Sequence, residues 1–228
     1  MIVTSQCTIT NIVKISENLR MFEFEIEKFI PWEPGMFLHL NLDSDKFAFD
    51  WSNSRAFSFA SYGDKKAKIL VRRVGQYTSR MFNELSIGSK FWIKYPFGNF
   101  FLNKDTTKVL IAAGTGIAPF LSYLEYVKKT SINSPTYIFH SVRTSQELID
   151  KFVEIPSNVY YFKFVTRETC ANTQNRHIEI ADILKLNISK DIDVYICGSI
   201  EFVKKFEDGL KENGFKNIYS ESWGWVIK

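Results

Sequence analysis

The chain has 228 residues, 45% hydrophobic and 16% aromatic with 21 Phe, and a formal net charge of +4. So much apolar side chain supplies packed cores and excludes disordered, collagen-like and coiled-coil classes. The mild positive charge is spread along the chain, and no Lys/Arg block marks a nucleic-acid tail. In chain order, the first hundred residues read as β-structure. Phe22, Phe24 and Ile26 alternate with Glu23, Glu25 and Glu27, the period of a half-buried strand. Pro34-Gly35 marks a turn, and Met36 to Leu42 predicts the next strand. Phe57 and Phe59 flank Ser58 in another, and Lys68 to Val74 and Lys90 to Tyr95 follow. Short strands between turn signals predict a closed barrel or sandwich. A short helix is expected near Ser79 to Glu84.

The pattern changes after the polar joint Asn103-Lys104-Asp105-Thr106-Thr107. Val109 to Ala113 is a continuous apolar run, which suits a strand buried on both faces of a parallel sheet. Gly114-Thr115-Gly116 follows, then a helix from about Ala118 with Pro119 in its first turn. Thr136 to His140, Val159 to Thr166 and Asp193 to Cys197 read as strands. Helices are expected over Ser145 to Phe152, within Ile178 to Leu184, and along the face Phe202, Val203, Phe206 and Leu210. Asn217 to Glu221 is a last strand. The alternation predicts a doubly wound α/β domain after an antiparallel β-barrel, with domains 1–103 and 104–228. Ligands of two-domain enzymes usually lie between domains, and open parallel sheets bind beyond their strand ends. No internal repeat and no low-complexity tract is present.

Several segments carry chemistry, each with a plain structural alternative. Gly114 to Pro119 joins a buried strand to a helix, where glycines admit a pyrophosphate and free N–H groups attract anions; it also reads as an ordinary tight turn. Arg55-Ala56-Phe57-Ser58 offers a guanidinium for phosphate, a ring face and a hydroxyl, or a solvated strand end. Gly75-Gln76-Tyr77-Thr78 opens the short helix, as a second phosphate cradle, a capped turn, or both. Cys197-Gly198 closes a strand at the expected crevice, yet a cysteine there also suits a core. Cys7, Cys170 and Cys197 form no disulfide framework and no iron–sulfur set, and suit a reducing compartment. His39, His140 and His177 lack metal-ligand spacing, so no metal is expected. Without a leader-like N-terminus or a membrane-length apolar run, a soluble cytoplasmic protein is expected.

Taken in order, these motifs resemble the ferredoxin–NADP reductase superfamily across nearly the whole chain. Arg55 to Ser58 is similar to its Arg-x-Tyr-Ser flavin motif and Gly75 to Thr78 to its flavin-phosphate segment. Pro96 to Phe100 is similar to the turn closing its barrel, Gly114 to Pro119 to its nicotinamide-nucleotide loop, and Cys197-Gly198 to its Cys-Gly pair. The resemblance implies bound FAD. Arg55 pairs with its pyrophosphate, Phe57 lies against the ring in place of the usual Tyr, and Ser58 donates to N5. Ala56, Gly75, Gln76, Tyr77 and Thr78 complete the flavin site. It implies that Gly114, Thr115, Gly116 and Pro119 hold the nicotinamide nucleotide, and that Cys197 and Gly198 sit by its reactive ring. Glu221 relays a proton, and Trp223, or else Trp225, covers the flavin, unless both tryptophans simply pack. Thr166-Arg167 resembles the Ser-Arg pair of NADP-dependent members, and Arg143 and Arg176 are further candidates for the 2′-phosphate. NADPH is therefore expected, with NADH as the alternative. The resemblance implies single-electron exchange with a ferredoxin or flavodoxin, with neither nucleic acid nor membrane insertion involved. A flavin reductase, an electron-transfer subunit of a larger oxygenase, hydrogenase or dehydrogenase, and a regulator that retains the fold stand beside this reading.

Overall fold

A computed structural model describes residues 1–43, 51–102, 106–130 and 132–223. The chain packs as two compact units, Met1–Phe101 with Ala118–Tyr126, and Leu102–Ile117 with Val127–Lys228. The expected division at 103/104 falls on residues outside the described ones, and by packing the first part of the helix after residue 117 groups with the barrel.

The first unit is a six-stranded antiparallel sheet of β1 (Val3–Ser16), β2 (Leu19–Ile26), β3 (Phe37–Asn41), β4 (Arg55–Ser58), β5 (Lys66–Arg72) and β6 (Lys90–Phe97), ordered β4-β3-β6-β1-β2-β5. Beyond β4, Phe59 bridges Ile69 and the Ala60 amide donates to Lys68 O at 2.8 Å, which brings the outer strands together into a nearly closed barrel. The alternation in β2 does what its period requires: Phe22, Phe24 and Ile26 are fully buried, together with Leu38, Leu40, Phe91 and Ile93 from neighbouring strands. Trp32 stacks on Phe59 with ring centroids 4.1 Å apart, and its indole N–H donates to Ser61 O at 2.8 Å. The same carbonyl accepts Ser122 Oγ at 2.7 Å. Glu125 accepts the Tyr62 amide and pairs with Lys68 Nζ, each at 3.0 Å, so helix α2 (Ala118–Thr130) is held to the barrel by its first turns.

Strand β1 has no counterpart in the sequence reading. Cys7 and Ile9 point inward, but a register shift between Ile9 and Asn11 interrupts the alternation that would have marked it. Helix α1 (Gln76–Glu84) begins three residues before the expected start. Gly75 is extended, and Thr78 Oγ1 reaches back to accept the amides of Val74 at 2.9 Å and Gly75 at 3.1 Å, closing the first turn early.

The second unit is a five-stranded parallel sheet of β7 (Lys108–Ala113), β8 (Thr136–Val142), β9 (Val159–Val165), β10 (Asp193–Gly198) and β11 (Asn217–Ser222), ordered β11-β10-β7-β8-β9. Strands β7 and β10 are buried along most of their length, as the apolar runs require. Helix α3 (Ile180–Leu184) follows β9, and α4 (Ile200–Glu212) packs Val203, Phe206 and Leu210 against the sheet. Residues 145–152 are not the expected helix. They form two separate 3₁₀ turns, 145–147 and 149–151, because Leu148 is extended at φ −68°, ψ 132°. The break lets consecutive Leu148 and Ile149 both bury. Among the described residues no helix is long and apolar enough to cross a membrane.

Candidate functional site

In the barrel unit, β4 pairs with β3 in the register Leu40↔Arg55, His39↔Ala56, Leu38↔Phe57 and Phe37↔Ser58. Period two places Arg55 and Phe57 on one face and Ala56 and Ser58 on the other. Arg55 is exposed; its Nη1 donates to Ser54 O at 2.8 Å, and its guanidinium lies 5.2 Å from the Tyr77 ring centroid. The Tyr77 hydroxyl donates to Leu40 O at 2.5 Å, which ties α1 to β3 and keeps the aromatic ring under Arg55. Burial pushes the Tyr77 phenol up, so it stays neutral. The structure thus brings Arg55 and the start of α1 together: a cation beside the positive end of a helix dipole, an arrangement suited to phosphate. Ser58 is 7% exposed. His39 Nδ1 lies 3.2 Å from Ser54 Oγ, and burial and then Lys94 lower its pKa.

In the parallel-sheet unit, β7 ends at Gly114, whose φ of +54° only glycine takes readily. A 3₁₀ turn over Gly114–Ile117 leads into α2. Gly116 lies against the end of β10, where a Cβ would meet Cys197 O at 2.2 Å. At Gly198 a Cβ would meet Phe202 Cδ1 at 2.7 Å. These contacts explain both glycines without any ligand, and they also bring Gly114, Thr115, Gly116, Cys197 and Gly198 to one sheet end. Pro119 is buried in the first turn of α2. Cys197 is fully buried; burial first and the Glu221 carboxylate second push its thiol up, against a hydrogen bond with Trp223. Glu221 pairs in register with Cys197. Among the described residues its buried Oε2 has no hydrogen-bond partner, and burial pushes its carboxyl up to about 7. The Trp223 amide donates to Gly198 O at 3.0 Å. Trp225 lies outside the described residues.

The arginine candidates separate. The Arg167 amide donates to Arg143 O at 3.0 Å, and Thr166 bonds Val142 O through both its amide and its hydroxyl, so Arg143, Thr166 and Arg167 share the ends of β8 and β9. Arg176 grips Asp182 with two bonds of 2.6 and 2.7 Å, and each partner shifts the other toward its charged form. It lines a cavity of about 660 Å³ floored by Phe139, Phe162 and Phe164. Its charge is therefore already matched.

Two residues beside these turns were not singled out from the sequence. Glu168 Oε1 accepts the Ser145 amide at 2.6 Å, a carboxylate next to Arg167. His140, read as a strand end and weighed as a metal ligand but given no role, is fully buried and lies 3.0 Å from Gly114 O. A histidine on an apolar strand beside a glycine turn was the available signal.

Residues 110–208 match the oxidoreductase NAD-binding domain family. The fold is that of the ferredoxin–NADP reductase from Neisseria gonorrhoeae, a structure with bound FAD and NADP: TM-score 0.79, 20% identity, covering 97% of this chain and 98% of that one. The chain therefore has the fold of the ferredoxin–NADP reductases, and the family match lies within residues 110–208. A second structure with this fold, the flavohem-like FAD/NAD-binding domain of nitric oxide dioxygenase from Vibrio cholerae O1 biovar El Tor, superposes with TM-score 0.82 at 17% identity over 97% of this chain and 99% of that one. Among curated relatives, the 2-halobenzoate 1,2-dioxygenase electron transfer component of Burkholderia cepacia is 26% identical over 85% of the chain. The probable dihydroorotate dehydrogenase B (NAD(+)) electron transfer subunit of Pyrococcus abyssi is 28% identical over 81%. The chain spans 59% and 66% of the lengths of those two relatives.

Proposed function

We propose that the chain is a flavoprotein reductase that passes reducing equivalents from NADPH, through FAD, to a one-electron carrier of the ferredoxin or flavodoxin type. The single observation that carries this is the sheet end where the Gly114–Gly116 turn lies on Cys197 beside the Glu221 carboxyl, whose buried Oε2 has no hydrogen-bond partner among the described residues. A tight glycine turn from strand to helix at the end of a parallel sheet suits a dinucleotide, and a buried carboxyl oxygen that no described residue satisfies suits a polar group that arrives with a ligand. The residues present fit FAD in the barrel unit as well: Arg55 and the α1 N-terminus for the pyrophosphate, Phe57 for the ring face, Ser58 for a hydrogen bond at N5, and Gly75 to Thr78 for phosphate. When bound, FAD supplies the acceptor for a hydride and releases electrons one at a time.

Within this reading, residues 1–103 serve the flavin and 104–228 the nucleotide. Cys197, held as a neutral thiol, shapes the approach of the nicotinamide without adding charge where positive charge develops. Glu221, titrating near neutrality, holds or yields a proton at its Oε2. Trp223 is the aromatic candidate to shield a bound ring. Arg143 and Arg167 favour a 2′-phosphate, with Thr166 and Arg176 lesser contributors because Val142 O takes both donors of the first and Asp182 neutralises the second. Placement in a reducing cytoplasm agrees with the three free thiols.

A second reading is favoured by the curated relatives: the chain works as the electron-transfer component of an oxygenase or dehydrogenase. Anaerobic titration of purified protein with NADPH and NADH separately tests the common core. A protein carrying one flavin, bleached by either nucleotide, supports it. A protein that stays colourless after FAD is supplied overturns it, and flavin that exchanges freely as a substrate promotes a flavin reductase. Co-purification with an oxygenase or dehydrogenase subunit selects the second reading.

A further inference from the structure

We infer that His140 is a positioning residue for the nucleotide turn: it pins the Gly114 carbonyl inward so that the Thr115 N–H faces outward, toward an anion. The inference rests on the dinucleotide reading of that turn. His140 lies on β8, in register with Ala112 on β7, and is fully buried. A buried imidazole must have both nitrogens satisfied. Nε2 lies 3.0 Å from Gly114 O, and Nδ1 lies 3.0 Å from the Tyr161 hydroxyl. That hydroxyl accepts the Ile149 amide at 3.3 Å.

The directions of these bonds follow from what each group can do. A carbonyl only accepts, so Nε2 carries the hydrogen. Burial keeps Tyr161 protonated, and a neutral buried imidazole with its hydrogen on Nε2 has a bare Nδ1, so the Tyr161 hydroxyl donates to Nδ1. The chain of donation therefore runs Ile149 N–H to Tyr161, Tyr161 to His140, and His140 to Gly114 O, with a neutral Nε2–H imidazole in the middle.

Pinning matters at this residue. At φ +54°, without a Cβ, Gly114 sets little steric barrier to rotation of the peptide that follows it. In a trans peptide the C=O and N–H point in opposite directions. With the carbonyl held by His140, the Thr115 N–H points away from the imidazole. A flipped peptide would present a carbonyl oxygen, which repels a pyrophosphate. The flip is opposed by the loss of a buried hydrogen bond, which corresponds to a population bias of about tenfold.

The experiment uses flavin-loaded protein with ADP-ribose as the pyrophosphate probe. His140→Phe conserves the ring and removes the donor; His140→Gln keeps an amide donor. His140→Phe is expected to weaken ADP-ribose binding about tenfold and raise KM for NADPH and NADH alike, with kcat within about twofold, the pattern of lost uniform binding. His140→Gln is expected to recover most of the affinity. Imidazole ¹⁵N NMR of the unsubstituted protein reads the tautomer whether or not a variant folds, and Nε2–H with bare Nδ1 is expected. An Nδ1–H tautomer, undiminished ADP-ribose binding by His140→Phe, or a His140→Gln variant as weak as His140→Phe overturns the inference alone. Unsubstituted protein that binds no ADP-ribose overturns the dinucleotide reading and this inference with it.

Discussion

Adding one methyl group at Gly116 is the sharpest test of how the α/β sheet end is built. An alanine Cβ there would stand 2.2 Å from Cys197 O, 2.6 Å from Cys197 C and 3.0 Å from Gly198 N, where ordinary contact begins at 3.4 Å. The atoms in the way are backbone, tied into the parallel ladder between β10 and its neighbours, so relief requires the turn or the strand to move by about 1 Å. Overpacking of this kind destabilises by about 1–3 kcal/mol, and a backbone obstacle puts Gly116→Ala near the top of that range. At about 2–4 °C per kcal/mol for a chain of this size, the melting temperature should fall by about 6–12 °C. Gly198→Ala is the internal comparison. Its Cβ meets the edge of the Phe202 ring at 2.7 Å, and a side chain can swing where a strand cannot, so a loss of about 1 kcal/mol is expected. Urea and thermal melts followed by circular dichroism, with ADP-ribose binding measured on each variant, give both readings. A Gly116→Ala protein as stable as the parent, or a Gly198→Ala protein harmed more, would refute the assignment of that contact.

Four further outcomes are expected. Because burial raises the folded-state pKa of Glu221 to about 7 from the ordinary 4.5, its contribution to stability is present in full below about pH 4.5 and is lost as pH rises toward about 7. Glu221→Gln lacks that dependence, so its stability relative to the parent should climb across this window and level off above it; parallel pH profiles would contradict the burial. Arg55→Met should weaken FAD binding by at least about tenfold, the scale of a charge-assisted phosphate contact, as read by flavin fluorescence during dilution. Glu168→Gln removes a carboxylate beside Arg167 and should raise the NADPH-to-NADH ratio of kcat/KM by about tenfold; an unchanged ratio would place the ribose elsewhere. Maleimide should label half-buried Cys170 in native protein well before buried Cys7 and Cys197, which mass spectrometry of peptides can rank.

The two sheets were legible because their periods differ. Phe22, Phe24 and Ile26 announce a strand with one face in a core, and Val109 to Ala113 a strand with two, and burial in the structure follows both patterns. Strand β1 was not legible, because a register shift at Ile9–Asn11 breaks its alternation. The helix expected over 145–152 failed because the apolar spacing of Leu148, Ile149 and Phe152 also suits two short turns that bury the first two side by side. Glycine-rich turns could be placed from sequence, since they punctuate strand and helix. Their supports could not: the His140 bond to Gly114 and the Glu168 bond to Ser145 join segments 26 and 23 residues apart, and no local pattern records them. Arg176 shows the reverse limit, since a basic residue at a promising position gives no sign that Asp182 already occupies its guanidinium.

The state of Cys197 has a consequence for durability. Sulfur is attacked by peroxide, and exchanges with disulfides, through its deprotonated form. Burial and a neighbouring acid keep this atom protonated, which deprives oxidants of their point of entry. A polarisable side chain can thus remain at the strand end without being slowly converted to sulfenic or sulfinic acid.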